Sequence, residues 1–467
     1  MVNIIDKLAW ISPIIAGIWV AIVIGSFLFP VGRKIWKYQQ NRKLSGLKYA
    51  SWNNATGFVF GKNRWGKITY VPTEKEGKHT FVLGGSGTGK TSGVIIPCLS
   101  HFNGNFFAID ISGDISSAVQ RKGSVTFAPC ESDTSPYNVF ALIDSLNENS
   151  QEQYEQLEKL AFLMMPDMPG ANDASSFFNT EGRKILTAAL IAFYYRGLDF
   201  SEICQKIVSS SCIDLFREID AQKKESASLL IKSFQGTNKA NTNGCKQATD
   251  RAVKLFALNQ NIQNSVRRPK TGEVAVTPSI LEYTSVFFRI PESMIDLYSP
   301  LMNIVVSQCL AYFANRPISA KPSIFLALDE FASLNMDATS IVGALQRFRK
   351  RNISIMLVTQ SMAAIDRLYG ETTRKDMLNN FSYKVILHAG DADTQMEVAK
   401  MIGHKKEKSH STAMGRGGMF YPRKEISSWA VDPEDLSRLG NQLVLIHPSG
   451  FKLLKKAPFY KYKSYLR

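Results

Sequence analysis

The octapeptide Gly84-Gly85-Ser86-Gly87-Thr88-Gly89-Lys90-Thr91 follows a short apolar run, HTFVL, and opens a segment, SGVIIPCLSHF, that can form a helix. Its spacing is G-x-x-x-x-G-K-[ST], and that pattern between a strand and a helix points to an α/β protein that binds nucleotide phosphates. Glycines let successive backbone N–H groups turn toward a phosphate, and the helix start adds partial positive charge. In such a loop the lysine, Lys90, reaches the β- and γ-phosphates, while the hydroxyl of Thr91 ligates Mg2+. Gly84 to Thr91 is therefore the expected phosphate cradle, with ATP and Mg2+ as its ligands.

A second half-site is expected far along the chain. The run SIFLALDEF places Asp329 and Glu330 at the end of an apolar strand. An aspartate there can hold Mg2+, and a glutamate beside it can act as general base for the attacking water. The run ISIMLVTQS ends in Gln360, on what should be the strand next to that of Asp329. A glutamine at that tip can sense the γ-phosphate or position the water. Between the two runs lies QRFRKRN, with Arg347, Arg349 and Arg351. A basic run is usually a solvated helix face, but an arginine supplied across a subunit interface can stabilise transition-state charge. The long separation of the two half-sites argues for a helical domain inserted into the nucleotide-binding domain.

The remaining pattern agrees with an α/β body. The 467 residues suffice for about three domains. With 45% hydrophobic and 21% charged residues, wholesale disorder, collagen-like repeats and coiled coils are excluded. Near-continuous apolar runs at Ser285 to Ile290, Ser323 to Glu330, Ile353 to Gln360 and Tyr383 to Gly390 read as strands of a parallel sheet covered on both faces. Alternation over Gly57 to Val71 predicts a hairpin, and Gln442 to Leu454 predicts another, turning at Pro448 to Gly450. From about Leu142 to Gln263 the pattern is helical. The six cysteines form no CxxC pair, so neither a zinc site nor a dense disulfide framework is expected, and reduced buried thiols suit a cytosolic body.

Leu8 to Phe29 contains no charged residue, and a helix of that length crosses a hydrocarbon core of about 30 Å. A cleaved signal peptide would need a basic start, whereas here Asp6 and Lys7 cancel. The flank Arg33 to Lys48 has six basic and no acidic residues, which predicts a single-pass membrane protein with its short N-terminus outside and everything after Pro30 in the cytoplasm. The expected division is an anchor over 1–32, the first part of the nucleotide-binding domain over 33–141, a mostly helical segment over 142–275, and the second part of the nucleotide-binding domain over 276–467.

With these residues in view, the chain resembles the coupling-protein ATPases of type IV secretion and conjugative DNA transfer. The resemblance rests on HTFVLGGSGTGKTSGVIIP, on DISGD (Asp110 to Asp114) and on SFFNTEGRKIL (Ser176 to Leu186). LDEFASL (Leu328 to Leu334), VTQSMAAIDRLYG (Val358 to Gly370) and GLKYASWNNATGFVFG extend it in the family's order. It implies a RecA-like P-loop NTPase domain with an inserted all-α domain, preceded here by one transmembrane helix where many members carry two. It also implies a homo-hexamer around a channel, which receives a relaxase-bound single DNA strand or protein effectors and passes it to the secretion channel. Arg349 falls at the family's arginine after LDEF, which implies a finger acting in trans.

The net charge of +16 favours an anionic partner, either nucleic acid or the inner face of a membrane. Lys400 to Lys424 has seven basic residues against Glu407 alone, and Phe451 to Arg467 has six with Phe459, Tyr460, Tyr462 and Tyr465 interleaved. Cations that track a backbone and rings that stack on bases suit single-stranded DNA, although solvated loops and anionic lipid suit the same charges. The expected function is thus a membrane-anchored ATPase delivering DNA–relaxase substrate to a type IV channel. The rivals are an ATPase for protein effectors, a nucleotide-switched docking receptor with little turnover, and a chromosome-partitioning pump.

Overall fold

The computed structural model describes residues 45–462 apart from 76–77, 120, 168–171, 335, 411–412, 416–417 and 421–422, with the side chains of 406–426 also left out. The expected span Leu8 to Phe29, the flank from Arg33 to Leu44 and Tyr465 lie outside the described residues. Among the described residues, one helix, Glu292–Ala314, is long and apolar enough to cross a membrane, and about two-thirds of it is buried in the protein.

A twelve-stranded sheet organises the chain. In chain order its strands are β1 (Lys48–Ala50), β2 (Phe58–Lys62), β3 (Ile68–Val71), β4 (Thr80–Leu83), β5 (Asn105–Asp110) and β6 (Val125–Phe127). Then come β7 (Val286–Arg289), β8 (Ile324–Leu328), β9 (Ile353–Thr359) and β10 (Tyr383–Ile386). Two small ribbons supply β11 to β14 (β11 His404–His410, β12 Ala413–Gly415, β13 Gly418–Phe420, β14 Arg423–Trp429), and β15 (Gln442–His447) and β16 (Gly450–Lys455) return to the main sheet. The sheet order is β1-β3-β2-β16-β15-β10-β4-β9-β8-β5-β7-β6. From β10 to β6 every pairing is parallel, and from β15 to β1 every pairing is antiparallel.

The central strands are buried along nearly their whole length and mostly apolar because both faces are covered. A strand's side chains alternate between faces, so Phe107, Ile109, Leu326, Ile355 and Leu357 join one core. Their neighbours Phe106, Ala108, Phe325, Ala327 and Met356 join the other. The first core continues into the helical segment and the second lies beneath the helix that follows the phosphate loop. Each fully buried leucine or phenylalanine contributes about 2 kcal/mol of transfer free energy, which outweighs any weak local preference of these short strands.

The four runs read as parallel strands are β7 to β10, which lie in the parallel part of the sheet, and the other flank is antiparallel. The two anticipated hairpins supply that flank instead of standing apart. In the first, the Asn63 side chain accepts hydrogen bonds from the Trp65 and Lys67 N–H groups at 3.0 Å each, and Gly66 takes φ +76°. Such side-chain capture of the following backbone is what makes asparagine a turn former. In the second, β15 and β16 turn over His447–Gly450, and β15 pairs with the edge of β10.

Between β6 and β7 the chain is mainly helical. The longest helices are Gln151–Met164, Asp173–Tyr194 and Lys239–Leu258, each opened by a side chain that caps a free N–H, from Ser150, Asn172 and Asn238 respectively. The chain leaves and re-enters the sheet region at one place, where buried Tyr137 bridges both Val266 and Val276. The motif SFFNTEGRKIL serves packing there: a Cβ on Gly182 would meet the Cys245 carbonyl at 2.7 Å, so only glycine lets Asp173–Tyr194 and Lys239–Leu258 approach so closely.

Candidate active site

The glycine-rich loop begins where β4 ends, between β10 and β9, and the Gly84 N–H donates to the Thr359 carbonyl at 3.2 Å. Gly87 and Gly89 have φ +71° and +91°, a backbone region that other residues rarely adopt, so the loop's shape depends on them. Thr88 Oγ1 donates to the Gly85 carbonyl at 2.8 Å, and Lys90 Nζ donates to the same carbonyl at 3.3 Å. A π-helical turn, Thr91–Ile95, leads into the helix Ile96–His101.

Two neighbouring strands bring the other residues to this end. β9 lies beside β4, and β8 lies beside β9. Because all three run parallel, Gly84, Asp329 and Gln360 fall on one edge of the sheet, the carboxyl edge where ligands of open α/β sheets bind. Asp329 is buried, and its Oδ1 accepts the Glu330 N–H at 3.0 Å. Glu330 has φ +47°, a strained conformation for a non-glycine residue. That backbone turn aims its carboxylate across the loop, where Oε1 accepts from Gln360 Nε2 at 2.8 Å and lies 4.0 Å from Lys90 Nζ.

Lys90, Thr91, Asp329, Glu330 and Gln360 line one cavity of about 700 Å³. Burial, with help from the Glu330 and Asp110 carboxylates, pushes the Asp329 carboxyl up to about 7 against the pull of the Glu330 N–H and Lys90. A carboxylate held up in this way is the electrostatic situation that a divalent cation relieves. Among the described residues, no group of three or more His, Cys, Asp or Glu side chains is arranged to hold a metal alone. Thr91 and Asp329 could hold Mg2+, with phosphate and water supplying further oxygen ligands.

Asp110 of the DISGD motif is fully buried and accepts from the Ile115 and Ser116 N–H groups at 3.2 and 2.9 Å. It therefore caps the short helix Asp114–Ala118, which carries Asp114 to the cavity rim. Arg349 lies elsewhere. Its turn, Phe348–Arg351, precedes β9, so it sits at the opposite edge of the sheet, roughly 20 Å from the loop by strand rise. Its Nη2 donates to Ser382 Oγ at 2.9 Å, and Arg351 bonds to the Arg316 carbonyl.

The sequence reading did not place the C-terminal segment at this cavity. Lys456 Nζ donates to the Thr88 carbonyl at 2.8 Å, which ties the C-terminal segment to the loop, and Phe459 and Tyr460 line the cavity beyond it. Nothing in KLLKKAPFYKYK singles out one of its lysines, because only the placement of β16 brings residue 456 to residue 88. The expected tail is also less free than its composition suggested. Gly450–Lys455 is β16, and Tyr462 stacks on Trp52 with ring centroids 3.6 Å apart. Of the basic segment Lys400 to Lys424, the backbone of Lys405, Lys406 and Lys408 lies on β11, paired with β14.

Residues 63–455 match the family model described as type IV secretion-system coupling protein DNA-binding domain. Protein VirD4 of Agrobacterium fabrum (strain C58) is 22% identical over 436 residues, which cover 88% of this chain and 63% of that protein. The chain thus spans a little over three-fifths of that relative's length. Two solved structures of the plasmid coupling protein TrwB share the fold. An unbound form lacking its N-terminal region superposes with TM-score 0.68 at 17% identity, covering 85% of this chain and 88% of that one. A complex with ADP and Mg2+ gives 0.66 at 18% identity, covering 83% and 87%. With a phosphate loop, an acidic pair and a glutamine gathered on the carboxyl edge of such a sheet, and a family match over most of its length, the chain belongs to the type IV secretion-system coupling proteins.

Proposed function

We propose that this protein is a membrane-anchored ATPase that couples ATP hydrolysis to delivery of relaxase-bound single-stranded DNA to a type IV secretion channel, working as a homo-hexamer at the inner membrane. The observation that carries the ATPase reading is the convergence of Lys90, Thr91, Asp329, Glu330 and Gln360 on one cavity. The DNA reading is supported by the family's description as a DNA-binding domain and by the net charge of +16.

In this mechanism Gly84 to Gly89 wrap the triphosphate with backbone N–H groups. A phosphate oxygen offers Lys90 Nζ a charge-assisted acceptor, stronger than the Gly85 carbonyl it now engages. Thr91 and Asp329 would hold Mg2+, which supplies charge neutralisation between the β- and γ-phosphates. Glu330 accepts a proton from the attacking water, and Gln360 orients that carboxylate through its 2.8 Å hydrogen bond. Arg349, remote from its own loop, serves the site of a neighbouring subunit.

The test is ATP hydrolysis by the full chain in detergent, with and without single-stranded DNA, beside Lys90→Ala. Turnover that Lys90→Ala abolishes and DNA stimulates, with stimulation falling steeply as salt rises, supports the reading. Hydrolysis retained in Lys90→Ala overturns the assigned loop. Turnover that is indifferent to DNA in confirmed oligomers overturns the DNA cargo in favour of protein effectors. Charge reversal at Lys405, Lys406 and Lys408 should weaken DNA binding, and unchanged binding across a salt series would remove that ribbon as a contact.

A further inference from the structure

We infer that the C-terminal segment Lys456 to Tyr460 forms the base-binding wall of the nucleotide site, with the Tyr460 ring stacking on the nucleobase. The inference rests on the nucleotide reading above and extends it to a part of the cavity which that reading leaves unassigned.

The cavity has two chemically distinct parts. Lys90, Thr91, Asp329, Glu330 and Gln360 supply the charged and hydrogen-bonding part, where a triphosphate and its cation belong. Ile96, Ile111, Ala118, Phe459 and Tyr460 supply the apolar part. A nucleoside triphosphate is divided in the same way, since its phosphates are anionic and its base has two flat, weakly polar faces. Once the loop fixes the phosphates, the base must occupy whatever lining remains.

Among the described residues that line it, the only aromatic rings are those of Phe459 and Tyr460, and they act as a unit. Their centroids are 5.7 Å apart at an interplanar angle of 75°, an edge-to-face pair. Phe459 packs against the cores beneath the sheet's second face and beside Trp52. Tyr460 is 59% exposed, so its ring is accessible from the cavity while Phe459 braces it from behind.

The segment is held at the right place by contacts to the loop and to the sheet. Lys456 Nζ donates to the Thr88 carbonyl at 2.8 Å, within the phosphate loop. The Lys456 N–H donates to the Asn441 carbonyl at 2.9 Å, and Ala457 is buried. The short turn Phe459–Lys461 then packs on the turn Thr91–Ile95 that leaves the loop. Residues more than 360 positions away in sequence thereby close over the same nucleotide that Lys90 grips.

The test compares two probes, ATP and inorganic tripolyphosphate, each with Mg2+, binding to the full chain in detergent by calorimetry. Tyr460→Ala should weaken ATP about tenfold, the size of one base–aromatic stack, and leave tripolyphosphate unchanged. Tyr460→Phe should retain ATP affinity, and Tyr460→Trp should retain it and show tryptophan quenching on ATP addition. Unchanged ATP affinity in Tyr460→Ala overturns the inference. Equal weakening of both probes also overturns it, because the defect would then lie in the phosphate loop. If the unaltered chain binds neither probe, the nucleotide reading fails and takes the base wall with it.

Discussion

Gln360 Nε2 donates to Glu330 Oε1 at 2.8 Å, and Lys90 Nζ lies 4.0 Å from that same oxygen. One carboxylate oxygen is thus addressed from the end of β9 and from the phosphate loop together. Because Glu330 holds this position only through a strained φ of +47°, its aim depends on these partners. Glu330→Gln should bind ATP yet hydrolyse it about a hundredfold more slowly or worse, the usual contribution of a general base. Gln360→Ala should lower kcat about tenfold with little change in KM, since the base stays present but is misdirected. Single-turnover hydrolysis measures both, and unimpaired chemistry in Glu330→Gln would remove it as the base.

Arg349 faces away from its own loop, so its role is testable by mixing. Arg349→Ala should lower turnover by about a thousandfold if it acts as a finger. When Arg349→Ala and Lys90→Ala subunits are mixed, an Arg349→Ala subunit keeps an intact loop beside a neighbour that still supplies Arg349, so mixed oligomers should regain activity that neither variant has alone. No regain in confirmed mixed oligomers would end the trans role.

His79 sits just before β4, and its Nδ1 accepts the Ile355 N–H at 2.9 Å, which links β4 to β9 below the site. Burial, reinforced by the Arg349 and Lys78 charges, holds its imidazole down at about 3. The unfolded chain takes up this proton below about 6.5 and the folded chain does not, so this contribution to stability is present above 6.5 and is lost as pH falls toward 3. The slope is about 1.4 kcal/mol per pH unit. His79→Asn should be less stable at pH 7 and should lose about 2 kcal/mol less than the parent on going from pH 7 to 5. Denaturant unfolding at the two values checks this, and parallel losses would contradict it.

Asp110 carries a structural load near the chemistry. Asp110→Ala leaves the Ile115 and Ser116 N–H groups without their acceptor and should cost ~2 kcal/mol of stability. Asp110→Asn keeps an acceptor oxygen and should recover part of that loss. Urea unfolding of the two variants measures the difference, and an Asp110→Ala midpoint equal to that of the parent would show that the cap is dispensable.

Local chemistry decided much of this protein in advance. Glycines at 84 to 89 are legible because a phosphate cradle needs backbone that few other residues adopt, as the positive φ of Gly87 and Gly89 shows. β8 and β9 are legible because strands covered on both faces are buried throughout and so mostly apolar, and their ends then place Asp329, Glu330 and Gln360. Three-residue strands such as β1 and β6 are too short to carry a periodic signal. Other relationships belong to the tertiary structure alone. That β15 pairs with β10 is set by the packing of whole faces, and it turns a parallel sheet into a mixed one. The same pairing carries Lys456 to Thr88 and Tyr460 to the cavity. The order of β4, β9 and β8, with their common direction, sets Arg349 on the edge away from Lys90. Residue type and short-range spacing specify what a segment can do, whereas sheet order and direction determine which distant segments share a site, because those depend on contacts that no single segment makes.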